Sequence, residues 1–155
     1  MTAGLRHPLG EAAVLVTVLL ALGSLAGCTS YTGSKANQVR QWASLSSVSA
    51  NDALVTADIA AIKKSFSEGK LKYVTSNCSG LVFDTGTAYG NLPTPDNTLT
   101  NELNVAYQDF VSAGSACAAV HELGSSRMTK ALETIEVGLV SLDEASRRLA
   151  ADGVQ

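Results

Sequence analysis

Apolar residues recur at helical spacing along most of the chain. Val39, Trp42 or Ala43, Leu45 and Val48 make a first amphipathic stripe over about residues 35–48. The run Ser49-Ala50-Asn51-Asp52 then supplies N-cap candidates for a second helix, in which Val55, Ile59, Ile62 and Phe66 share one face. Lys63 and Lys64 near its end suit the negative pole of the helix dipole, and Gly69 is a stop. A third stripe uses Leu71, Val74, Cys78 and Leu81, and turn formers fill residues 84–96, "DTGTAYGNLPTPD". Thr94-Pro95-Asp96 reads as a helix start, with Thr94 as N-cap and Pro95 at the first helical position. The fourth helix carries Leu99, Leu103, Ala106, Phe110, Ala113, Cys117 and Val120 on one face, and Gly124-Ser125-Ser126 ends it. A fifth carries Met128, Leu132, Ile135, Leu139, Leu142 and Leu149 near heptad spacing, with Ser146 interrupting the stripe. No segment alternates with the period of a strand. The expected class is therefore all-α, an antiparallel helical bundle of four to five helices.

Composition narrows this picture. A chain of 155 residues accommodates one domain, and 46% hydrophobic with only 5% aromatic content implies a core of small aliphatic side chains. The formal net charge is -3, with acidic and basic residues interspersed, and no Lys/Arg block offers a nucleic-acid footprint.

The start of the chain follows a different pattern. Arg6 and His7 form a weak basic start, "AAVLVTVLLAL" over residues 12–22 is an apolar run, and small residues follow. This is the layout of a cleaved secretory signal peptide, since a spanning helix needs about 20 apolar residues. Glu11, at the edge of the run, departs from that layout.

Leu25-Ala26-Gly27-Cys28 closes the segment with a large apolar residue, two small ones and a cysteine. This stretch resembles the lipobox of bacterial lipoprotein precursors. The resemblance implies a diacylglyceryl thioether on Cys28, cleavage after Gly27 and acylation, with palmitate for example, of the new amino terminus. It divides the chain into a signal peptide (1–27), a lipidated N-terminus and short tether (28–34) and a helical domain (35–155). Two or three acyl chains, at about 0.8 kcal/mol per buried methylene, anchor stably where one does not. The implied location is the extracytoplasmic face of the cell membrane. The polar tether "TSYTGS", fully extended, reaches only about 20 Å, so the bundle is expected close to that surface.

With Cys28 assigned to lipid, Cys78 and Cys117 remain as an even pair in an oxidising compartment, and one disulfide is expected. A loop of this length stabilises by about 4 kcal/mol in the chain-entropy model. The geometry is demanding. Cys117 lies about 33 Å of helix beyond Pro95, and Cys78 only about 17 Å before Tyr89. Either the third helix stops early and residues 84–94 climb the bundle in extended form, or the helices cross obliquely.

The run "LPTPDNTLTNELNVAYQDFVSAGSAC", residues 92–117, is similar to a pattern in small exported proteins and lipoproteins of high-GC Gram-positive bacteria, where a Pro-x-Pro-Asp turn opens a helix ending near a paired Cys. That resemblance implies fold and envelope location and carries no catalytic residue.

Chemistry-bearing constellations are sparse. Cys117 and His121 stand four residues apart on an expected helix, so a Cys78/Cys117/His121 metal site or a Cys-His nucleophile requires free thiols, against the expected disulfide. His121 is also the base a serine hydrolase would need, and no G-x-S-x-G elbow accompanies it. Glu133 with Glu136, and Asp143 with Glu144, sit at helical spacing from Lys130, Arg147 and Arg148, the pattern of a salt-bridged solvated face. Tyr73, Tyr89, Tyr107 and His121 are chemically able to ligate haem. The expected function is a non-enzymatic interaction or accessory module with an envelope protein partner and no metal or cofactor. The alternative is a carrier of haem or another small hydrophobic ligand between the helices.

Overall fold

The computed structural model describes residues 30–154, and the compact unit begins at Tyr31. Its elements are α1 (Lys35–Leu45), α2 (Val48–Ser67), α3 (Leu71–Tyr89), α4 (Asn97–Ala118) and α5 (Ser126–Ala151). No strand occurs among the described residues. No helix among them is long and apolar enough to cross a membrane. The signal-peptide segment and Cys28 lie outside the described residues.

Each of α2 to α5 packs against the next in chain order. The expected antiparallel bundle is thus the architecture. The α3–α4 register is set at two levels, by the Cys78–Cys117 disulfide with Cα atoms 5.8 Å apart and by Tyr89, whose hydroxyl donates to Asn104 Oδ1 at 2.8 Å. α4 is the central element and is gripped closely on both flanks. A Cβ on Gly114 would meet Val82 Cγ2 of α3 at 2.8 Å, and one on Gly138 of α5 would meet the Phe110 ring at 2.6 Å. Glycine at these two positions lets the backbones approach.

α1 lies across the end of the bundle. The Trp42 indole N–H donates to the Asn91 carbonyl at 2.9 Å, Lys35 Nζ to the Pro95 carbonyl at 2.9 Å, and Arg40 Nη1 to the Asp152 carbonyl at 2.7 Å. One short helix thereby fastens the α3–α4 connection and the end of α5, burying Val39, Trp42 and Ala43.

Several helix boundaries differ from the sequence pattern, each for a local reason. The stripe expected over 35–48 is two helices. Ser46 Oγ donates to the Trp42 carbonyl at 2.6 Å, and Ser47 takes a left-handed φ of 51°, so the chain turns sharply. Leu45 is left 69% exposed, while Val48 is buried at the start of α2. Ser47 therefore occupies the N-cap position, and Ser49-Ala50-Asn51-Asp52 lies within the first turns of α2.

α3 does not stop early. Thr85 and Ala88 continue its buried face to Tyr89, and the connection after Tyr89 makes up the unequal distances of the two cysteines from the turn. Those arms differ by about 13 Å at 1.5 Å per helical residue, within the reach of the non-helical segment before Asn97.

The N-cap of α4 is Asp96 and not Thr94. Asp96 Oδ1 accepts from the Leu99 N–H at 2.9 Å, and an acid here also suits the helix dipole. Thr94 is buried and holds the turn, its N–H donating to Thr100 Oγ1 at 2.9 Å and its Oγ1 accepting from the Asp96 N–H at 3.0 Å. At the other end α4 closes at Ala118, short of the expected stop at Gly124.

On α5 the buried stripe is Met128, Ala131, Ile135, Gly138, Leu142, Ala145 and Leu149. Leu132 and Leu139, expected at its centre, are only partly buried, because small residues occupy the line of closest approach to α4.

Candidate functional site

The two cysteines expected to pair do so, both fully buried between α3 and α4. A buried disulfide offers neither a nucleophile nor a metal-ligating thiolate. His121 is exposed in the loop after α4, since the helix ends before reaching it, and the four-residue helical relation to Cys117 does not form. Among the described residues no cluster of three or more His, Cys, Asp or Glu side chains is placed to hold a metal ion.

The tyrosines considered as ligands separate. Tyr107 is buried and its hydroxyl donates to Asp52 Oδ1 at 2.8 Å, tying α4 to α2. Burial, with the Asp52 charge added, pushes the Tyr107 phenol well above its usual range. Burial also raises Asp52, and the bond from Tyr107 offsets part of that rise. Tyr89 is engaged with Asn104, and Tyr73 stands exposed on the first turn of α3. The Tyr89 and Tyr107 hydroxyls are thus committed to different partners.

Between α3 and α4 runs an open groove of about 370 Å³, lined by Gly86, Tyr89, Tyr107, Val111, Ser112 and Ser115 among others. Its exposed wall is mostly apolar, with Tyr89, Tyr107 and Val111 set beside the polar Gln108, Ser112 and Ser115. A larger hollow of about 530 Å³ lies at the α1–α2 corner, against Arg40, Ser44, Ser47 and Val154. The loop holding His121 borders a third of about 270 Å³ with Glu122 and Arg127.

Part of the salt-bridged face expected on α5 forms within the helix. Arg147 pairs within the helix with Asp143 and Glu144 at 3.1 and 2.8 Å. Arg148 and Glu136 instead reach other helices, Arg148 to Glu102 of α4 at 2.8 Å and Glu136 to Lys63 of α2 at 2.7 Å.

One carboxylate pair leaves almost no trace in the sequence. Asp58 of α2 faces Asp84 of α3, and its carboxylate packs on Gly80, where a Cβ would come within 3.2 Å of both oxygens. Asp58 Oδ2 is shielded from solvent without a hydrogen-bond partner. Burial first, then hydrogen bonding of its protonated form to Asp84 and the Asp84 charge, pushes the Asp58 carboxyl up to about 6. The only sequence signal was an acid directly beside the buried Ile59, which is common on any helix flank.

Segment 31–34, the end of the expected tether, is hydrogen-bonded to α1. Asn37 Nδ2 and Gln41 Nε2 donate to the Thr32 carbonyl at 2.9 and 3.1 Å, and Gln38 Nε2 donates to the Gly33 carbonyl at 3.0 Å. Tyr31 packs against the core.

Comparison with known protein families, with curated proteins and with solved structures gives no match for this chain.

Proposed function

We propose that the chain is a lipid-anchored extracytoplasmic protein whose helical bundle acts as a non-enzymatic interaction or accessory module at the cell envelope. The observation that carries this reading is Leu25-Ala26-Gly27-Cys28 at the end of an apolar run. Support comes from a buried disulfide, the kind of bond that persists in oxidising compartments. Fractionation tests the anchor: Cys28→Ala is expected to leave the protein as an unprocessed precursor or release it from the membrane. A Cys28→Ala chain that remains processed and membrane-bound sinks the reading. In-cell crosslinking of the wild-type chain is expected to recover an envelope partner.

The α3–α4 groove favours a second reading, a carrier of a small hydrophobic ligand. Haem fits that reading less well, because the hydroxyls of Tyr89 and Tyr107 are committed to Asn104 and Asp52. Native mass spectrometry of the purified chain separates the two: a bound mass favours the carrier, and a Soret band identifies haem.

A further inference from the structure

We propose that the outer face of α1, carrying Arg40, Gln41, Ser44 and Leu45, is the surface that the bundle lays against an anionic lipid headgroup layer. This rests on the lipid-anchor reading of Cys28 and adds an orientation to it.

The first argument is reach. Segment 31–34 folds back over α1, with the Thr32 carbonyl held by Asn37 and Gln41 and the Thr32 N–H donating to Gln41 Oε1 at 3.4 Å. The chain therefore arrives at the bundle beside the Gln41 side chain, halfway along the helix, and not at its N-terminus. From Tyr31 back to Cys28 the backbone spans at most about 10 Å, half the reach of a free tether running to residue 34. An acylated Cys28 holds this end of the bundle at the headgroups. The turn between α2 and α3, at the far end of the 20-residue α2, is about 30 Å away.

The second argument is chemistry. α1 carries Lys35 and Arg40 and no acidic residue. Arg40 stands on the outer face, its guanidinium donating to a neutral backbone carbonyl, that of Asp152, whereas Lys35 falls on the side of Val39 and Trp42 and donates to the Pro95 carbonyl. The Arg40 charge suits an anionic headgroup layer. Leu45 follows Gln41 by four residues, on the same side of the helix, and is 69% exposed. A lone exposed leucine beside the arriving chain fits the boundary between headgroups and acyl chains.

The test uses the full, acylated chain in vesicles of phosphatidylcholine with phosphatidylglycerol. An environment-sensitive fluorophore is placed on Leu45→Cys or, at the far end, on Ser67→Cys; both native disulfide cysteines are fully buried and stay unlabelled. The Leu45→Cys probe is expected to emit further to the blue and to be quenched severalfold more by nitroxide-bearing lipids than the Ser67→Cys probe. Arg40→Glu, or vesicles of phosphatidylcholine alone, is expected to reduce that quenching. A chain that floats with vesicles while both probes are quenched alike overturns the surface and leaves the anchor standing. Quenching indifferent to phosphatidylglycerol overturns the anionic headgroup as its partner. A wild-type chain that fails to float, as Cys28→Ala is expected to, overturns anchor and surface together.

Discussion

Gly138 of α5 lies directly against the ring of Phe110 on α4, so close that a Cβ would come within 2.6 Å of Phe110 Cε1 and 3.1 Å of Asp109 Cβ. Neither neighbour is the free end of a flexible chain, since Phe110 is fully buried. The closest packing in the bundle therefore depends on an absent side chain.

Gly138→Ala is accordingly expected to destabilise the fold by about 1–3 kcal/mol, the usual cost of overpacking a filled interior, despite alanine's better helix propensity. Gly86 of α3 is the control, because a Cβ there meets nothing within 4 Å. Gly86→Ala is expected to stabilise by about 0.5–1 kcal/mol. Urea denaturation midpoints of the two variants should move in opposite directions. A Gly138→Ala midpoint at or above wild type would disprove the close approach.

The two glycines also show where reading the chain reaches its limit. Buried stripes on α2, α3 and α4 were legible because Val55, Ile59, Ile62, Val74, Leu81, Leu99, Leu103 and Phe110 are large and regularly spaced. On α5 the large residues misdirected: Leu132 and Leu139 mark the edge of the buried stripe, while Ala131, Gly138 and Ala145 mark its line of closest contact. A hydrophobicity pattern weights size, and helix approach rewards smallness. Boundaries failed where a side chain competed with the backbone. Ser46 and Ser47 split one stripe into two helices, and Asp96 displaced Thr94 as the cap. The disulfide was legible from the cysteine count. The carboxylate pair of Asp58 and Asp84 was not, because it exists only through the packing of α2 on α3.

Cys78 and Cys117 are both fully buried, so native protein is expected to resist thiol labelling until it is reduced and unfolded. The double variant Cys78→Ser, Cys117→Ser should lose roughly 2–4 kcal/mol of stability, mainly through a less constrained unfolded chain. Labelling of both cysteines in the untreated folded protein would show that the bond does not form.

Arg148 reaches Glu102 with two hydrogen bonds, Nε to Oε2 at 2.9 Å and Nη2 to Oε1 at 2.8 Å, and the Glu102 side chain is only 17% exposed. Arg147, by contrast, makes its pairs on an open helix face. Glu102→Gln is expected to cost about 1 kcal/mol, whereas Arg147→Met should cost less than about 0.5 kcal/mol. Chemical denaturation of both variants at low and high salt checks this. Equal losses would mean that the bidentate geometry adds nothing.

Asp58 gives the fold a pH dependence whose sign follows from its surroundings. In the unfolded chain its carboxyl titrates near 3.8, whereas burial and the facing Asp84 raise it to about 6 in the folded protein. Between these values the folded state binds more protons than the unfolded one, so stability contributed by this group is complete below about 4 and is lost as pH rises through 6. Protonation supplies the hydrogen that Asp58 and Asp84 lack for a bond between α2 and α3; at neutral pH two carboxylates face each other instead. Asp52, also raised by burial, acts in the same direction. The melting temperature is therefore expected to increase when pH is lowered from 7.5 to 5. Asp58→Asn replaces the charge with an amide able to donate to Asp84, and should raise the melting temperature at pH 7.5 and flatten the profile between 5 and 7. Carbon-13 NMR of the Asp58 carboxyl provides an independent check. A midpoint in the ordinary aspartate range, or an Asp58→Asn profile as steep as wild type, would remove Asp58 as the source of the acid stabilisation.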